Sequence, residues 1–194
     1  MTPLEFRNQK RQILSGADLS QKGSIDKPIE DLINLINSKD DFVTTSSCSG
    51  RVILYCESAV EGRKKGCKWL YTTHDLVNVE EFLSKVDSTE GDLVLKFEPM
   101  ILHIQCISLE KAKSVHVCAV QSGFRNSGIS VGKHHKIIVA VRSCMGLEVP
   151  LSSDGRLMVS DEYLKFLAGV ANNKMIENQE RTERFSTSMK LLLQ

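Results

Sequence analysis

Apolar residues recur at helical spacing in several segments of the chain. The clearest one follows Asp26, a candidate helix N-cap, and places Leu32, Ile33 and Ile36 on one face of a helix. The same spacing predicts four further helices, three of which have a polar capping residue in front. These helices cover residues 4–15, 79–86, 109–121 and about 160–194.

Between these segments apolar and polar residues alternate, which is the period of a β-strand. Pro99 cannot donate a hydrogen bond to a neighbouring strand, so it is predicted to separate two strands. Asp154-Gly155 predicts a tight hairpin turn, and the polar stretch 57–66 predicts a longer one. The predicted strands are 42–46, 51–56, 68–72, 93–98, 101–107, 137–143, 147–151 and 157–159.

Strands and helices are mixed without regular alternation, and no linker of biased composition divides the chain. We therefore predict a single compact α+β domain, residues 1–194, with a mixed, mainly antiparallel sheet flanked by helices and a long C-terminal helix over about 160–194. The sequence contains no glycine-rich nucleotide-binding fingerprint. A doubly wound Rossmann-type methyltransferase or dehydrogenase is therefore not expected.

Composition and charge narrow the function classes. With 41% hydrophobic residues and a formal net charge of +1, the chain is not of a disordered class. It shows no apolar membrane span and no secretory leader, and its six cysteines are irregularly spaced, so we expect a cytoplasmic protein with reduced thiols. Residues 96–145 nevertheless hold seven Lys or Arg against two Glu. This positive segment predicts an anionic partner such as a phosphate backbone.

The segment Thr44–Arg51, TTSSCSGR, is rich in hydrogen-bond donors. Placed between two predicted strands, it would form a turn whose backbone N–H groups, hydroxyls and guanidinium hold a carboxylate or phosphate. A Ser/Thr-rich hairpin that satisfies its own backbone is the alternative. Cys48 is also a candidate nucleophile. No Cys-x-x-Cys pair occurs in the sequence, so no metal site is expected.

Two further segments carry candidate chemistry. Ser122–Gly128, SGFRNSG, lies in the positive segment, and its glycines and arginine permit close approach to a ligand. An ordinary solvated loop is the alternative there. Glu98, within Lys96–Pro99 (KFEP), is a candidate for proton transfer together with His103 and His74. An exposed ion pair and partly buried histidines are the alternative.

Taken together, these segments resemble the family of tRNA wybutosine-synthesizing protein 3 over about residues 5 to 185. The resemblance implies an S-adenosylmethionine-dependent tRNA methyltransferase of the cytoplasm, with a compact α/β fold unlike the doubly wound enzymes. Its reaction would methylate ring nitrogen N4 of the 7-aminocarboxypropyl-demethylwyosine precursor next to the anticodon of phenylalanine tRNA. The matching stretches are Asp26–Pro28, Thr44–Arg51, Trp69 with His74, Lys96–Pro99 with Leu102-His103, Ser122–Gly128, Val131–Lys133, Val141–Ser143 and Leu147–Leu151.

The resemblance gives the candidate residues roles in methyl transfer. Glu98, His103 and His74, in that order, are candidates for the base that takes the proton of the ring nitrogen. A second set would bind the cofactor or the substrate, including the amino-acid carboxylate that each carries. This second set is Ser46, Ser47, Cys48, Ser49, Arg51, Lys96, Ser122, Arg125, Ser127 and Arg142.

Contacts to tRNA are expected from a third set of residues. Phe124 and Trp69 would stack on bases splayed out of the anticodon loop, and Lys133 and Lys136 would contact phosphates. Other enzymes of the wybutosine pathway could also be partners, whereas DNA and membranes are not expected.

Two alternative functions remain open at this point. One is a non-catalytic module that presents tRNA to another enzyme, and failure to bind S-adenosylmethionine would favour it. The other is a hydrolase or transferase that depends on Cys48, which thiol alkylation would inactivate.

Overall fold

The structure of the chain is a computed structural model. It describes residues 2–16, 23–57, 67–86 and 91–194. Polar side chains cap the first turn of several helices: Ser108 Oγ accepts from Lys111 N at 3.2 Å, and Asn78 Oδ1 accepts from Glu81 N at 3.0 Å. The helices are α1 (Pro3–Ser15), α2 (Glu30–Ser38), α3 (Val79–Ser84), α4 (Leu109–Gln121) and α5 (Asp161–Leu192).

Six strands form a sheet in the order β2-β1-β3-β5-β4, and β6 pairs with β3. The pairs β1–β2, β3–β5, β3–β6 and β4–β5 are antiparallel. Strands β7 and β8 form a separate hairpin. The strands are β1 (Phe42–Glu57), β2 (Cys67–Thr73), β3 (Asp92–Cys106), β4 (Gly128–Val131), β5 (Ile137–Val141), β6 (Leu147–Pro150), β7 (Ser152–Ser153) and β8 (Arg156–Leu157).

The chain forms two compact units, each with its own hydrophobic core. Unit 1 comprises residues 1–49, 100–144 and 179–194, and unit 2 comprises residues 50–99 and 145–178. The core of unit 1 includes the rings of Phe124 and Phe185, which meet edge to face with centroids 6.0 Å apart. The core of unit 2 includes Tyr71 and Phe82, which meet in the same way at 6.1 Å.

Strands β1 and β3 are longer than predicted. The expected turn within Thr44–Arg51 is wrong, because β1 runs through it, with Gly50 at φ +103°. The expected break at Pro99 is also wrong. In β3 the buried positions shift from odd numbers (Leu95, Phe97) to even numbers (Met100, Leu102) at that residue. Such a shift by one residue is what a β-bulge produces, and bulges tolerate proline.

The smaller features of the chain have different outcomes. The Asp154-Gly155 turn is confirmed, with positive φ at both residues, as a tight hairpin requires. Asp26 does not cap the 3-10 turn it precedes; its Oδ2 accepts from Ser49 N at 2.9 Å and from Ser49 Oγ at 3.2 Å instead. Strand β4 is not among the predicted strands, because its four mostly exposed residues show no alternation of apolar and polar positions. The predicted turn at 57–66 lies, from residue 58 onward, outside the described residues.

The predicted α+β class, with a mainly antiparallel sheet flanked by helices and no Rossmann-type arrangement, is confirmed. The long C-terminal helix is confirmed as α5. Among the described residues, no helix is both long and apolar enough to cross a membrane. That residues 1–194 make up one methyltransferase-like domain stays a prediction.

Candidate functional site

Unit 2 contains a connected group of four charged side chains and a tryptophan. Arg51 Nε donates to Glu98 Oε2 at 2.8 Å. Lys96 Nζ lies 3.4 Å from Glu98 Oε1 and 3.3 Å from Glu148 Oε2. The guanidinium carbon of Arg51 lies 4.7 Å from the ring centroid of Trp69, a cation–π contact. Two cations and two anions give this group no net charge.

The register of the sheet explains the grouping. Lys96 lies opposite Glu148 in the β3–β6 pair, and strand alternation places Lys96 and Glu98 on the same face. Burial alone would lower the pKa of Lys96, but the hydrogen bonds and charges of Glu148 and Glu98 raise it above its ordinary value. Lys96 is therefore a cation that holds Glu98, and each oxygen of Glu98 already has a cationic partner.

His74, also in unit 2, is held by the backbone of β1. Its Nδ1 lies 2.9 Å from the carbonyl oxygen of Gly50. A carbonyl only accepts, so Nδ1 carries the proton and Nε2 is the basic nitrogen of the neutral ring. This is the tautomer in which an imidazole acts as a base through Nε2.

Unit 1 contains a histidine–arginine pair. Arg142 Nη2 donates to Nε2 of His103 at 3.2 Å, which requires a neutral imidazole because arginine has no acceptor. Burial and the charge of Arg142 lower the pKa of His103. Arg142 is exposed, and within the described parts of the chain it forms no ion pair. Its positive charge therefore faces solvent without a carboxylate partner.

The segment Ser122–Gly128 is organised around Ser127. The Ser127 hydroxyl donates to Phe124 O at 2.6 Å and accepts from Arg142 N at 3.1 Å. The Ser127 carbonyl accepts from His116 Nε2 at 3.1 Å. Ser127 therefore joins this loop to the residue that follows β5, while Arg125 in the same loop is exposed.

The remaining candidates differ in what they can contact. Ser49 is buried on Asp26, and Ser122 is buried with its hydroxyl donating to Cys118 O at 2.8 Å. Among the candidates of Thr44–Arg51, Ser46 is exposed and Ser47 and Cys48 are half-buried, all within β1 rather than in a turn.

Phe124 corrects one expectation about tRNA. Its ring is fully buried against Phe185, so it cannot stack on a base and serves the core of unit 1. Trp69, by contrast, is 38% exposed. Lys133 is exposed and Lys136 half-buried, around a 3-10 turn at Lys133–His135. Which of the candidates bind a ligand stays a prediction.

Two residues of these arrangements have no sequence signal as site residues. Glu148 joins the charged group of unit 2 only through the β3–β6 register, which a short edge strand does not reveal. Arg181 of α5 contacts the Ser122–Gly128 loop. It is one of several charges in the polar half of a long helix, so nothing in the pattern singles it out.

Comparisons with known proteins agree on one family. The family model described as Methyltransferase TYW3 matches residues 8–191. The chain is 50% identical over 183 residues to a tRNA wybutosine-synthesizing protein 3 homolog of Homo sapiens, a match that covers 93% of this chain and 71% of that protein. With the homolog of Xenopus laevis it shares 47% identity over 191 residues, covering 97% and 76% respectively.

Solved structures show the same relation. The PH1069 protein from Pyrococcus horikoshii has a TM-score of 0.85 at 32% identity, with 96% of this chain and 97% of that chain covered. A hypothetical protein from Aeropyrum pernix has a TM-score of 0.71 at 27% identity, with 87% of this chain and 100% of that chain covered.

Proposed function

The chain belongs to the TYW3 methyltransferase family, and on that premise we propose that it methylates ring nitrogen N4 of the 7-aminocarboxypropyl-demethylwyosine base next to the anticodon of phenylalanine tRNA. The family resemblance inferred from the sequence is confirmed, and the chain is a methyltransferase that modifies tRNA in wybutosine biosynthesis. The family match over residues 8–191 is the observation that carries the proposal. The two alternatives, a non-catalytic tRNA module and a Cys48-dependent enzyme, are not needed to explain this family match.

We propose S-adenosylmethionine as the methyl donor, which supplies a methyl group activated on a sulfonium centre. The donor and the aminocarboxypropyl substrate each carry an amino-acid carboxylate, so the enzyme needs donors that bind such groups. Arg142 fits this need: it is exposed, its described partner His103 is neutral, and its guanidinium offers a planar fork to a carboxylate.

Arg51 is less suited to bind a carboxylate on its own. Its charge is compensated by Glu98 at 2.8 Å, and its guanidinium is held against Trp69. We propose instead that Arg51 orients the exposed ring of Trp69, which then stacks on a base of the anticodon loop. Arg125, exposed in the Ser122–Gly128 loop, is a second candidate for an anionic group.

The base that accepts the ring-nitrogen proton is best supplied by His74. Glu98 has a cation on each oxygen, and His103 accepts a hydrogen bond from Arg142 through the nitrogen that would take the proton. The bond between His74 Nδ1 and Gly50 O fixes the orientation of the ring and, in the neutral imidazole, makes Nε2 the basic nitrogen. We therefore place His74 ahead of Glu98 and His103 as the base, whereas the sequence suggested Glu98 first.

The proposal is tested by methyl transfer from labelled S-adenosylmethionine to phenylalanine tRNA that carries the aminocarboxypropyl precursor. Label is expected in the tricyclic base, and none in unmodified phenylalanine tRNA. Arg142→Gln, which keeps a hydrogen-bond donor but removes the charge, is expected to raise the KM for the donor or the tRNA. Label in unmodified tRNA would refute the proposed substrate. Transfer of no label while S-adenosylmethionine fails to bind would refute the proposed donor.

A further inference from the structure

The two loops that carry Arg125 and Arg142 are tied together by a side chain from the C-terminal helix. Arg181 Nη1 of α5 donates to the carbonyl oxygen of Gly123 at 2.9 Å and to Ser143 Oγ at 3.3 Å. The two acceptors lie in different loops, one after α4 and one after β5. A single terminal nitrogen has two N–H groups, so it can donate to both acceptors.

The contact at Gly123 leaves little room for a side chain. A Cβ at this position would lie 3.3 Å from Cδ and 3.4 Å from Cγ of Arg181. Gly123 also has φ +102°, a conformation that L-residues with a side chain rarely adopt. The helix therefore packs its arginine directly on the loop backbone.

Electrostatics favour a cation at this place. Gly123 follows the last residues of α4, where the carbonyl groups of a helix end carry partial negative charge. The last turn of α4 has no basic residue of its own. Arg181 supplies the missing positive charge from another helix.

Hydrogen bonds hold both Arg142 and the residue that follows it. Its backbone N–H donates to Ser127 Oγ at 3.1 Å, and its neighbour Ser143 accepts from Arg181 at 3.3 Å. With the backbone N–H of Arg142 and the hydroxyl of Ser143 both held, the guanidinium of Arg142 is directed to His103 Nε2. Loops without such ties move more freely, and an error of about 1 Å at a reacting group can cost on the order of 10²-fold in rate.

We propose that Arg181 is a positioning residue that sets Arg142 against His103 by clamping the Gly123 and Ser143 loops. The inference rests on the proposed role of Arg142 in binding a carboxylate. Arg181 is not a catalytic residue in this scheme, since it acts through the two loops.

The experiment compares Arg181→Met with Arg184→Met, which removes an exposed arginine from the same helix. We expect Arg181→Met to lower kcat/KM for methyl transfer about tenfold, chiefly through KM. NMR titration of the His103 ring is the second readout. Loss of the clamp should withdraw Arg142 and raise the pKa of His103, as is also expected of Arg142→Gln. Arg184→Met should change neither quantity, and Arg181→Lys should restore most of both, because lysine keeps the charge and donors.

The titration separates this inference from the proposed function. If the wild-type protein transfers no methyl group, a raised pKa of His103 in Arg181→Met still supports the clamp. Folded Arg181→Met protein with an unchanged His103 titration would overturn the inference, whatever the activity. If Arg181→Met does not fold, Ser143→Ala removes one acceptor of the clamp and should shift the titration in the same direction. No shift in folded Ser143→Ala would then overturn the inference.

Discussion

The pair of His103 and Arg142 shows how one hydrogen bond fixes the charge of both partners. Arginine donates and cannot accept, so the contact at 3.2 Å exists only while His103 is neutral. Once His103 is protonated, two cations face each other and the contact is lost. The pair therefore leaves a single positive charge, on Arg142, at neutral pH.

This pair predicts a specific titration. Burial and then the charge of Arg142 lower the pKa of His103. Arg142→Gln should therefore raise that pKa, although burial should still hold it below the ordinary value of about 6.5. NMR of the ring protons against pH measures the change, and Arg184→Met serves as the control variant in which the pKa of His103 should not differ. A pKa of His103 that stays constant in the variant would show that Arg142 does not act on it in solution.

The same shift fixes the sign of a pH effect on stability. The pKa of His103 is lower in the folded chain than in the unfolded chain, so the unfolded chain binds the proton more readily. Neutral His103 therefore contributes to the free energy of unfolding. This contribution is complete above about pH 6.5 and is lost as the pH falls through the lower pKa of the folded chain. Urea unfolding at a series of pH values should show that the free energy of unfolding decreases less on acidification in His103→Asn than in the wild type.

The choice of base is a second prediction at the residue scale. His74→Asn can keep the bond to Gly50 O through its amide nitrogen but has no basic nitrogen, so we expect turnover to fall on the order of 10²- to 10⁴-fold. Glu98→Gln should cost about tenfold or less, by displacing Arg51 and Lys96. Single-turnover methyl transfer measures the rate in both variants. His135→Asn is the matched control, and its rate should not change. A larger loss in Glu98→Gln than in His74→Asn would return Glu98 to the role of base.

At the scale of elements, the two long strands β1 and β3 each contain a residue of a type that usually interrupts a strand. Gly50 continues β1 with φ +103°. Gly50→Ala should therefore lower the free energy of unfolding, by on the order of 1–3 kcal/mol, because an alanine is strained at that φ. Gly146→Ala is the control: its added Cβ would have Phe97 O as its nearest neighbour, at 3.7 Å, an ordinary contact. Denaturant unfolding compares the two variants, and equal stabilities would mean that Gly50 relaxes in solution.

Helices were easier to predict than strands for a physical reason. The bounds of α4 follow from Ser108, whose hydroxyl caps the adjacent turn, so the signal and its effect are neighbours in sequence. The continuity of β1 and β3 depends on partner strands that are distant in sequence. Gly50 and Pro99 therefore looked like breaks, although β1 and β3 continue through them.

The site shows the same division between local and distant information. Strand alternation correctly placed Lys96 and Glu98 together, because both lie on one strand. The burial of Phe124 was not predictable, since it depends on Phe185, about sixty residues later in the chain. Arg181 was missed for the same reason: its acceptors belong to two loops far from it in sequence.

For the molecule as a whole, charge is divided unevenly between the two units. Unit 1 contains 15 basic and 10 acidic residues, whereas unit 2 contains 10 basic and 14 acidic residues. The near-neutral total thus conceals a positive unit and a negative one. A polyanion such as tRNA should be bound chiefly by unit 1, where Lys133 and Lys136 lie.

Salt dependence tests this assignment. Each phosphate contact releases a counterion, so replacing Lys133 and Lys136 together by alanine should reduce the slope of log affinity against log salt by about 1 to 2. Affinity should fall alike for modified and unmodified tRNA, because phosphates carry no information about the base. Lys165→Ala, an exposed lysine of unit 2, should leave the slope unchanged in filter binding or fluorescence titration. An equal loss in the Lys165 variant would mean that the negative unit also contacts the phosphate backbone, and that unit 1 does not account for the binding.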